Sequence, residues 1–197
     1  MNVIQRIRYV LNAESSAIQS INVSSDYETA VNMLGACEGK VLTTGMGKAG
    51  IIANKFAVTL CSTGTPAVYL HPGEAAHGDL GVISEGDCII AFSNSGKTRE
   101  VIEMLQLAKH LGLGKVTGIT SHSDSELRAH SDVILEMGDI QEPCPLGLTP
   151  SSSIAVMNAI ADAITLALME MKGITKQQYG LRHHGGYLGR VARDDNE

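Results

Sequence analysis

Two short loops in the sequence carry residue types that can hold a phosphate group. The first, Thr43–Lys48, follows an apolar segment and contains Gly45-x-Gly47-x-x-Gly50, the spacing of the dinucleotide fingerprint. A nicotinamide cofactor also needs an acidic residue at the end of the next strand, and His71 stands there instead. The spacing is therefore a weak indication of a dinucleotide and leaves a small phosphorylated ligand as the alternative.

The second loop, Ser93–Thr98, follows the third apolar segment. Its hydroxyl groups can donate hydrogen bonds, and Gly96 lets the backbone approach a ligand. A helix is predicted to begin at about Thr98, where free N–H groups and the helix dipole attract anions. A serine-rich turn with an ordinary threonine cap is the structural alternative. Two such loops at the ends of two strands favour a small phosphorylated ligand.

Composition and charge exclude several other classes of partner. The chain has 197 residues, 44% of them hydrophobic and 18% charged, and a formal net charge of -6. Because nucleic-acid binding needs a basic surface, we expect no nucleic-acid partner. The longest apolar tract, Ile154–Met171, is interrupted by Asn158, Asp162 and Glu170. We therefore predict a buried or oligomeric helix there, not a membrane span.

The cysteines favour a reducing compartment. None of the four lies in a CxxC pair, so we expect them all to be reduced thiols in a cytoplasmic protein. The N-terminus also lacks the apolar stretch of a signal peptide. The four residues are Cys37, Cys61, Cys88 and Cys144.

The pattern of apolar segments predicts an α/β protein. Short, unbroken apolar runs alternate with helical periodicity, which is typical of an open, doubly wound, five-stranded parallel sheet flanked by helices. The predicted strands are Lys40–Thr44, Ala67–Leu70, Asp87–Phe92, Val116–Thr120 and Val133–Glu136. The predicted helices are Lys48–Cys61, Thr98–Leu111, Ser125–Ala129 and Ser151–Lys172, the last with three serines as candidate caps. We expect one domain, with an N-terminal helical region (1–37), a core (38–173) and a C-terminal tail (174–197).

Five segments together resemble a known family. They read TTGMGKAG, STGTPAVYLHPGEAAHGDLG, AFSNSGKTREV, EPCPLGLTPSSS and RHHGGYLGR. The sequence from about Val41 to Arg190 is similar to the sugar isomerase (SIS) domain of D-arabinose-5-phosphate isomerases. The resemblance implies an aldose–ketose isomerase that interconverts ribulose 5-phosphate and arabinose 5-phosphate, the entry to Kdo in lipopolysaccharide and capsules, without a cofactor.

The resemblance also implies roles for particular residues. The substrate phosphate is expected on Ser93, Asn94, Ser95 and Thr98, with further substrate contacts from Gly45, Gly47 and His77. Four positions match the catalytic ones: Lys48, Glu100, Glu142 and His183. Family members are usually homotetramers in which a site histidine comes from a neighbouring subunit, so we expect sites at subunit interfaces.

Three features depart from the family pattern. Lys97 stands where an acidic residue is usual, and His184 replaces a proline, so His183 and His184 compete for the same role. Most relatives also carry a pair of CBS domains after the SIS domain. This sequence ends near that point, so we expect a short form without them.

Glu142 is the candidate base. An aldose–ketose isomerisation needs a group that moves a proton between C1 and C2 through an enediol(ate). Prolines at 143 and 145 remove backbone donors near Glu142, and together with partial burial this predicts a raised pKa. An exposed loop glutamate is the alternative.

The other three catalytic candidates have simpler chemistry. His183 can shuttle protons between oxygens, although it could equally be a metal ligand or a surface residue. Lys48 can neutralise an enediolate or a phosphate oxygen, or it can be a solvated lysine at a helix start. Glu100 lies in the first turn of its helix, where a carboxylate is favoured in any case, and could steady Lys48 or a substrate hydroxyl.

A metal and two other functions remain open. His71, Glu74, His77 and Asp79 form a ligand-type cluster without standard spacing, so we expect no required metal and an inhibitory site at His71 and His77. Another phosphosugar isomerase, for example of sedoheptulose 7-phosphate, is a second enzymatic interpretation. A non-catalytic SIS regulator would keep the Ser93–Thr98 loop but would not need Glu142 or His183.

Overall fold

A computed structural model describes residues 2–193. In chain order the helices are α1 (Val3–Gln19), α2 (Ser25–Gly35), α3 (Gly47–Ser62), α4 (Pro72–Ala75), α5 (Arg99–His110), α6 (Ser152–Met171), α7 (Lys176–Arg182) and α8 (Gly186–Arg193). The strands are β1 (Val41–Gly45), β2 (Ala67–Tyr69), β3 (Cys88–Phe92), β4 (Val116–Thr120) and β5 (Val133–Glu136). Two 3-10 helices lie at Asp79–Val82 and Glu126–His130.

The five strands form one parallel sheet in the order β2-β1-β3-β4-β5. All pairings are parallel, and β1 and β3 run side by side from Val41 opposite Cys88 to Gly45 opposite Phe92. Every residue of β1, β3 and β4 is buried, as expected for strands covered on both faces. The predicted fold class is confirmed.

Helices cover the two faces of the sheet separately. Apolar side chains of α2, α3 and α6 pack on one face around Phe56 and Phe92, whose rings meet edge to face at 5.8 Å. The other face is covered mainly by α5 through Val101, Met104 and Leu105. The strand order changes direction between β1 and β3, so this pair of strands is the switch point at which α/β sheets bind ligands.

α6 is the long apolar helix that the sequence indicated. Within residues 2–193 it is the one helix with the length and composition to cross a membrane, with a mean hydropathy of 1.6. Buried positions recur along it from Ser152 to Leu168, and its buried apolar residues belong to the core. This burial is what a core helix shows, as the sequence predicted.

The predicted elements differ from the structure in detail. The N-terminal helical region is two helices, separated by residues 20–24. The predicted helix Ser125–Ala129 is a 3-10 helix at Glu126–His130. The C-terminal tail forms two helices that the sequence analysis did not predict, and its residues 194–197 lie outside the described part of the chain. A capping box between Thr175 and Gln178 defines the start of α7. In it, the side chain of each residue accepts a hydrogen bond from the backbone N–H of the other.

Candidate functional site

The glycine-rich loop after β1 brings α3 close to the strand. A side chain at Gly50 would place its Cβ 2.4 Å from the Gly45 carbonyl oxygen, so only glycine permits this approach. The same oxygen accepts a hydrogen bond from the Tyr69 hydroxyl at 3.0 Å. Lys48 lies in the first turn of α3 and is exposed. The glycine spacing is thus explained by helix–strand packing and requires no dinucleotide.

The loop after β3 is held by its own hydroxyl groups. The Ser93 and Thr98 hydroxyls lie 2.8 Å apart, and Ser93 Oγ also accepts the Gly96 N–H at 3.1 Å. Gly96 has a φ of +61°, and a Cβ there would lie 2.2 Å from that of Ser125. Replacing Gly96 would therefore disturb both the turn and its packing.

The helix that follows this loop begins without a side-chain cap. Thr98 is the N-cap residue of α5, but its side chain accepts no N–H of the helix, because its hydroxyl pairs with Ser93 instead. The N–H groups of Arg99 and Glu100 have no acceptor inside the helix by its geometry. With the helix dipole they form a positive surface facing the loop. The threonine-cap alternative is therefore not what the structure contains.

Both loops border one cavity of about 280 Å³ at the switch point. Its walls come from the loop after β1, the loop after β3 and the first turns of α6. The lining includes Lys48, Ser93, Asn94, Ser95, Thr98 and Ser153. The structure thus gathers the predicted phosphate-binding residues and Lys48 around a single space.

Glu142 occupies the N-terminus of α6. Its Oε2 accepts the N–H groups of Ser151 at 2.7 Å and Ser152 at 2.9 Å, and its Oε1 accepts that of Ser153 at 3.1 Å. The Ser151 side chain makes no cap hydrogen bond. The predicted serine cap is therefore wrong, because the carboxylate nine residues upstream satisfies these donors instead.

The predicted rise in the pKa of Glu142 is also wrong. Burial alone would raise the pKa, but the Ser153 side chain and the backbone N–H groups of Ser151, Ser153 and Ser152 outweigh it, and the pKa is lowered. The prolines remove local donors, as the sequence suggested, but the helix start supplies new ones. The Ser153 hydroxyl contributes by proximity, although it has no partner at full hydrogen-bond geometry.

Two other predicted residues lie at a second groove. Glu100 and His77 line a groove of about 520 Å³ between α4 and α5. This groove is lined by different residues from the cavity that contains Lys48. Among the ion pairs of the described residues, none joins Glu100 to Lys48, so the steadying contact considered for this pair is not formed.

His183 lies at the other end of the molecule. It follows α7, and its ring stacks on Tyr179 with centroids 4.0 Å apart. The neighbouring Arg182 reaches the turn at Gly64, beyond the C-terminus of α3. Since α3 has 16 residues and rises ~1.5 Å per residue, His183 is separated from the cavity of its own chain by on the order of 20 Å. His184, the competing histidine, is exposed beside it.

The proposed ligand-type cluster of His71, Glu74, His77 and Asp79 is not assembled. Within residues 2–193, no three His, Cys, Asp or Glu side chains are arranged to hold a metal ion. The His71 Nδ1 is buried without a partner, and its ring lies edge-on to Tyr69. His77 faces the α4–α5 groove instead. The short α4 and the 3-10 helix after it separate these side chains, and neither was predicted.

Sequence reasoning noticed Ser153 only as a candidate cap. In the structure its residue is 1% exposed, its hydroxyl has no hydrogen-bond partner, and it lines the cavity. The signal in the sequence was the run of three serines after Pro150, which marks a helix start without saying what the hydroxyls face.

Comparison with curated proteins finds close relatives. Arabinose 5-phosphate isomerase KdsD of Pseudomonas aeruginosa is 39% identical over 198 residues, which cover 96% of this chain and 60% of the relative. KpsF of Escherichia coli, also named arabinose 5-phosphate isomerase, is 36% identical over 191 residues, covering 95% of this chain and 58% of the relative. The chain thus spans about three fifths of the length of the curated relatives it matches.

Solved structures with the same fold include two with substantial identity. A candidate phosphosugar isomerase involved in capsule formation, from Bacteroides fragilis, is 46% identical with a TM-score of 0.91, covering 94% of this chain and all of that one. An Escherichia coli CFT073 protein in complex with arabinose 5-phosphate is 38% identical with a TM-score of 0.87, covering 93% of this chain and all of that one. Residues 36–169 match the model of the SIS domain. The chain belongs to the SIS-domain family.

Proposed function

We propose that the protein is an aldose–ketose isomerase that interconverts D-ribulose 5-phosphate and D-arabinose 5-phosphate, in the direction of Kdo synthesis in the cytoplasm. The observation that carries this proposal is the cavity that places an uncapped helix start and Lys48 next to the carboxylate-capped start of α6. The names of the curated relatives and the arabinose 5-phosphate complex of the Escherichia coli protein support the choice of substrate.

The phosphate is expected on the loop Ser93–Thr98. Ser93, Asn94, Ser95 and Thr98 all line the cavity, and the first N–H groups of α5 face a phosphate placed there. Lys97 points away from this role, because its ammonium pairs with Asp124 at 2.7 Å on the surface. Binding therefore depends on backbone N–H groups and hydroxyls, and an acidic residue at position 97 is not needed for it.

Glu142 is proposed as the base. It removes the proton from C2 of arabinose 5-phosphate, the released electron pair forms the C1–C2 double bond, and the C1 carbonyl oxygen becomes an enediolate oxygen. The C2 hydroxyl proton moves to the C1 oxygen, a transfer for which His183 is the candidate. Delivery to C1 of a proton from the Glu142 carboxyl, which exchanges with solvent, and formation of a carbonyl at C2 then give ribulose 5-phosphate. A carboxylate offers about four lone-pair positions, and three are used by α6, so one remains for the proton. The lowered pKa keeps Glu142 ionised at neutral pH, although it reduces the driving force for abstraction.

Lys48 is proposed to stabilise negative charge. It borders the same cavity as the phosphate loop, and an ammonium group close to a developing enediolate lowers the energy of that intermediate. Its position in the first turn of α3 is unfavourable for a cation, which a functional role would explain. Glu100 and His77 are proposed to act from the α4–α5 groove on the outer part of the site.

His183 is proposed to act in the site of a neighbouring subunit, because its distance from the cavity of its own chain prevents a role there. The exposed apolar residues of α1, which has no buried residue, offer a surface for association; they include Val3, Ile4, Ile7 and Leu11. A homotetramer with shared sites would combine these two features.

Mixing two inactive variants tests the shared site. Lys48→Ala and His183→Ala protomers should each be inactive, whereas denaturing and refolding them together should restore up to about a quarter of wild-type turnover, since mixed pairs hold one intact site. Restoration requires Lys48 and His183 to come from different chains. If the mixture stays inactive while wild type survives the same treatment, His183 does not work across subunits.

An isomerase assay distinguishes the proposal from its alternatives. The protein is offered ribulose 5-phosphate, arabinose 5-phosphate, and six- and seven-carbon phosphosugars including sedoheptulose 7-phosphate. The proposal predicts turnover of the two pentose phosphates. Preference for the seven-carbon ketose would support the second enzymatic interpretation, and tight binding of all substrates without turnover would support a regulator.

A further inference from the structure

Ser153 differs from its neighbours at the start of α6. Ser151, Ser152 and Ser153 each donate a backbone N–H to Glu142, and all three have buried hydroxyls without a hydrogen-bond partner. Ser153 alone of the three lines the cavity that holds the phosphate loop. Ser153 is 1% exposed, so bulk water does not form a hydrogen bond with its hydroxyl.

An unpaired buried hydroxyl is unfavourable unless a ligand satisfies it. Ser153 borders a space whose other walls include Ser93, Ser95 and Thr98. The same side chain lies close enough to the Glu142 carboxylate to help lower its pKa. It therefore stands between the phosphate-binding loop and the proposed base.

We propose that the Ser153 hydroxyl binds a sugar oxygen of the substrate, between its phosphate and the carbons that exchange the proton. This inference rests on the proposed function, because it assumes that a phosphosugar occupies the cavity. The phosphate is held by the α5 loop, and the hydroxyl at the opposite wall donates to the carbon chain. Ser153 would then orient the sugar for Glu142.

Ser152 provides a matched control. Its residue is 0% exposed and its hydroxyl is also unpaired, and it too donates an N–H to Glu142. Ser152 does not line the cavity. Ser152→Ala and Ser153→Ala therefore remove the same atom from the same helix turn, and the two residues differ in whether they border the cavity.

The test measures binding of arabinose 5-phosphate and of inorganic phosphate to both variants by calorimetry, with turnover in parallel. Ser153→Ala should weaken arabinose 5-phosphate about tenfold, the loss of one net hydrogen bond, and leave inorganic phosphate unchanged. The acidic limb of its pH–rate profile should move to higher pH, since a group that lowers the pKa of Glu142 is lost. Ser152→Ala should change neither property.

Equal behaviour of the two variants overturns the inference, and so does an equal loss of phosphate and sugar phosphate in Ser153→Ala. If wild type binds arabinose 5-phosphate without converting it, the isomerase proposal fails, while the difference between the variants still decides the role of Ser153. If wild type binds no phosphosugar, both fail.

Discussion

The starts of α5 and α6 lie at the same edge of the sheet and border the same cavity, but the protein treats them in opposite ways. At α5 the N-cap side chain turns to Ser93 and leaves the first N–H groups to the cavity. At α6 the protein supplies its own anion, because Glu142 accepts the N–H groups of the N-cap residue and the first two helical residues. One helix start is thus available to a ligand anion and the other is already neutralised.

This difference between the two helix starts assigns ligand binding to α5 and the proposed proton transfer to the carboxylate at α6. A phosphate attracted equally to the starts of α5 and α6 would bind in two registers, whereas capping of α6 removes that helix start as a competing anion site. The same capping places the carboxylate against Ser153, at the wall of the cavity proposed for the sugar. Variants that remove either side of this arrangement should therefore fail in different ways.

The largest effect is expected at the α6 side. Glu142→Gln should lower kcat about 10³-fold, within the range for loss of a general base, because the amide cannot accept the proton. Binding of arabinose 5-phosphate should change less than about threefold, since the phosphate loop is untouched. A coupled assay and calorimetry measure the two quantities.

Asp139→Asn is the control for Glu142→Gln. Asp139 is an exposed carboxylate three residues upstream that accepts no helix N–H. Its variant should keep wild-type turnover. A kcat for Glu142→Gln close to that of Asp139→Asn would mean that the carboxylate is a structural cap and nothing more.

A variant in the loop before α5 should change KM and leave kcat nearly unaltered. Ser95→Ala removes a hydroxyl that lines the cavity and accepts the Lys97 N–H at 3.2 Å. We expect KM to rise about tenfold with kcat nearly unchanged, as for a contact made equally in the ground and transition states. Ser62→Ala, at the far end of α3, removes a serine with one side-chain hydrogen bond and should leave KM unaltered. An unchanged KM in Ser95→Ala would remove the loop from the phosphate site.

Because Glu142 caps α6, the stability that its carboxylate contributes to the fold should depend on pH. The pKa of Glu142 is lowered from an ordinary value of 4.5 in the folded state, so its contribution is present above that value and is lost as the pH falls through the folded pKa. Wild type should melt on the order of 4 °C above Glu142→Gln at pH 7, with the difference shrinking below about pH 4.5. A difference that is constant down to pH 3 would contradict the cap.

The smallest expected effect is a difference in reactivity between cysteines, and it concerns the segment before α6. The Thr149 side chain and the backbone N–H groups of Thr149, Leu146 and Leu148 lower the pKa of Cys144 to about 6. Burial, together with the nearby Cys37, raises the pKa of Cys88 to about 11. Iodoacetamide at pH 7 should therefore label Cys144 first, as mass spectrometry of the peptides can show. Earlier labelling of the exposed Cys61 would mean that these donors do not reach the thiol.

The parts of the fold that follow from periodicity were predictable from the sequence. The strands and the long helices α3, α5 and α6 agree with the prediction within a few residues, because apolar spacing depends on local chain geometry. The helix α7 was missed, although its capping residues Thr175 and Gln178 were visible as a T-x-x-Q pattern.

The candidate site was only partly predictable. The sequence identified the loop Ser93–Thr98 and Lys48, which lie together, because both follow strands that end at one edge of the sheet. It did not predict the environment of Glu142, whose donors come from a helix nine residues on. Nor did it predict that Glu100 and His77 would share a separate groove, since this depends on how α4 packs against α5.

Deuterium exchange tests the central claim most directly. Ribulose 5-phosphate is incubated with the enzyme in D₂O, and the C1 and C2 hydrogens are followed by proton NMR in wild type and Glu142→Gln. Transfer of a proton by a carboxylate predicts deuterium at the exchanging carbon in wild type, with loss of both exchange and turnover in the variant, while phosphate still binds. Turnover without deuterium in wild type, or undiminished exchange in Glu142→Gln, would contradict the proposed mechanism.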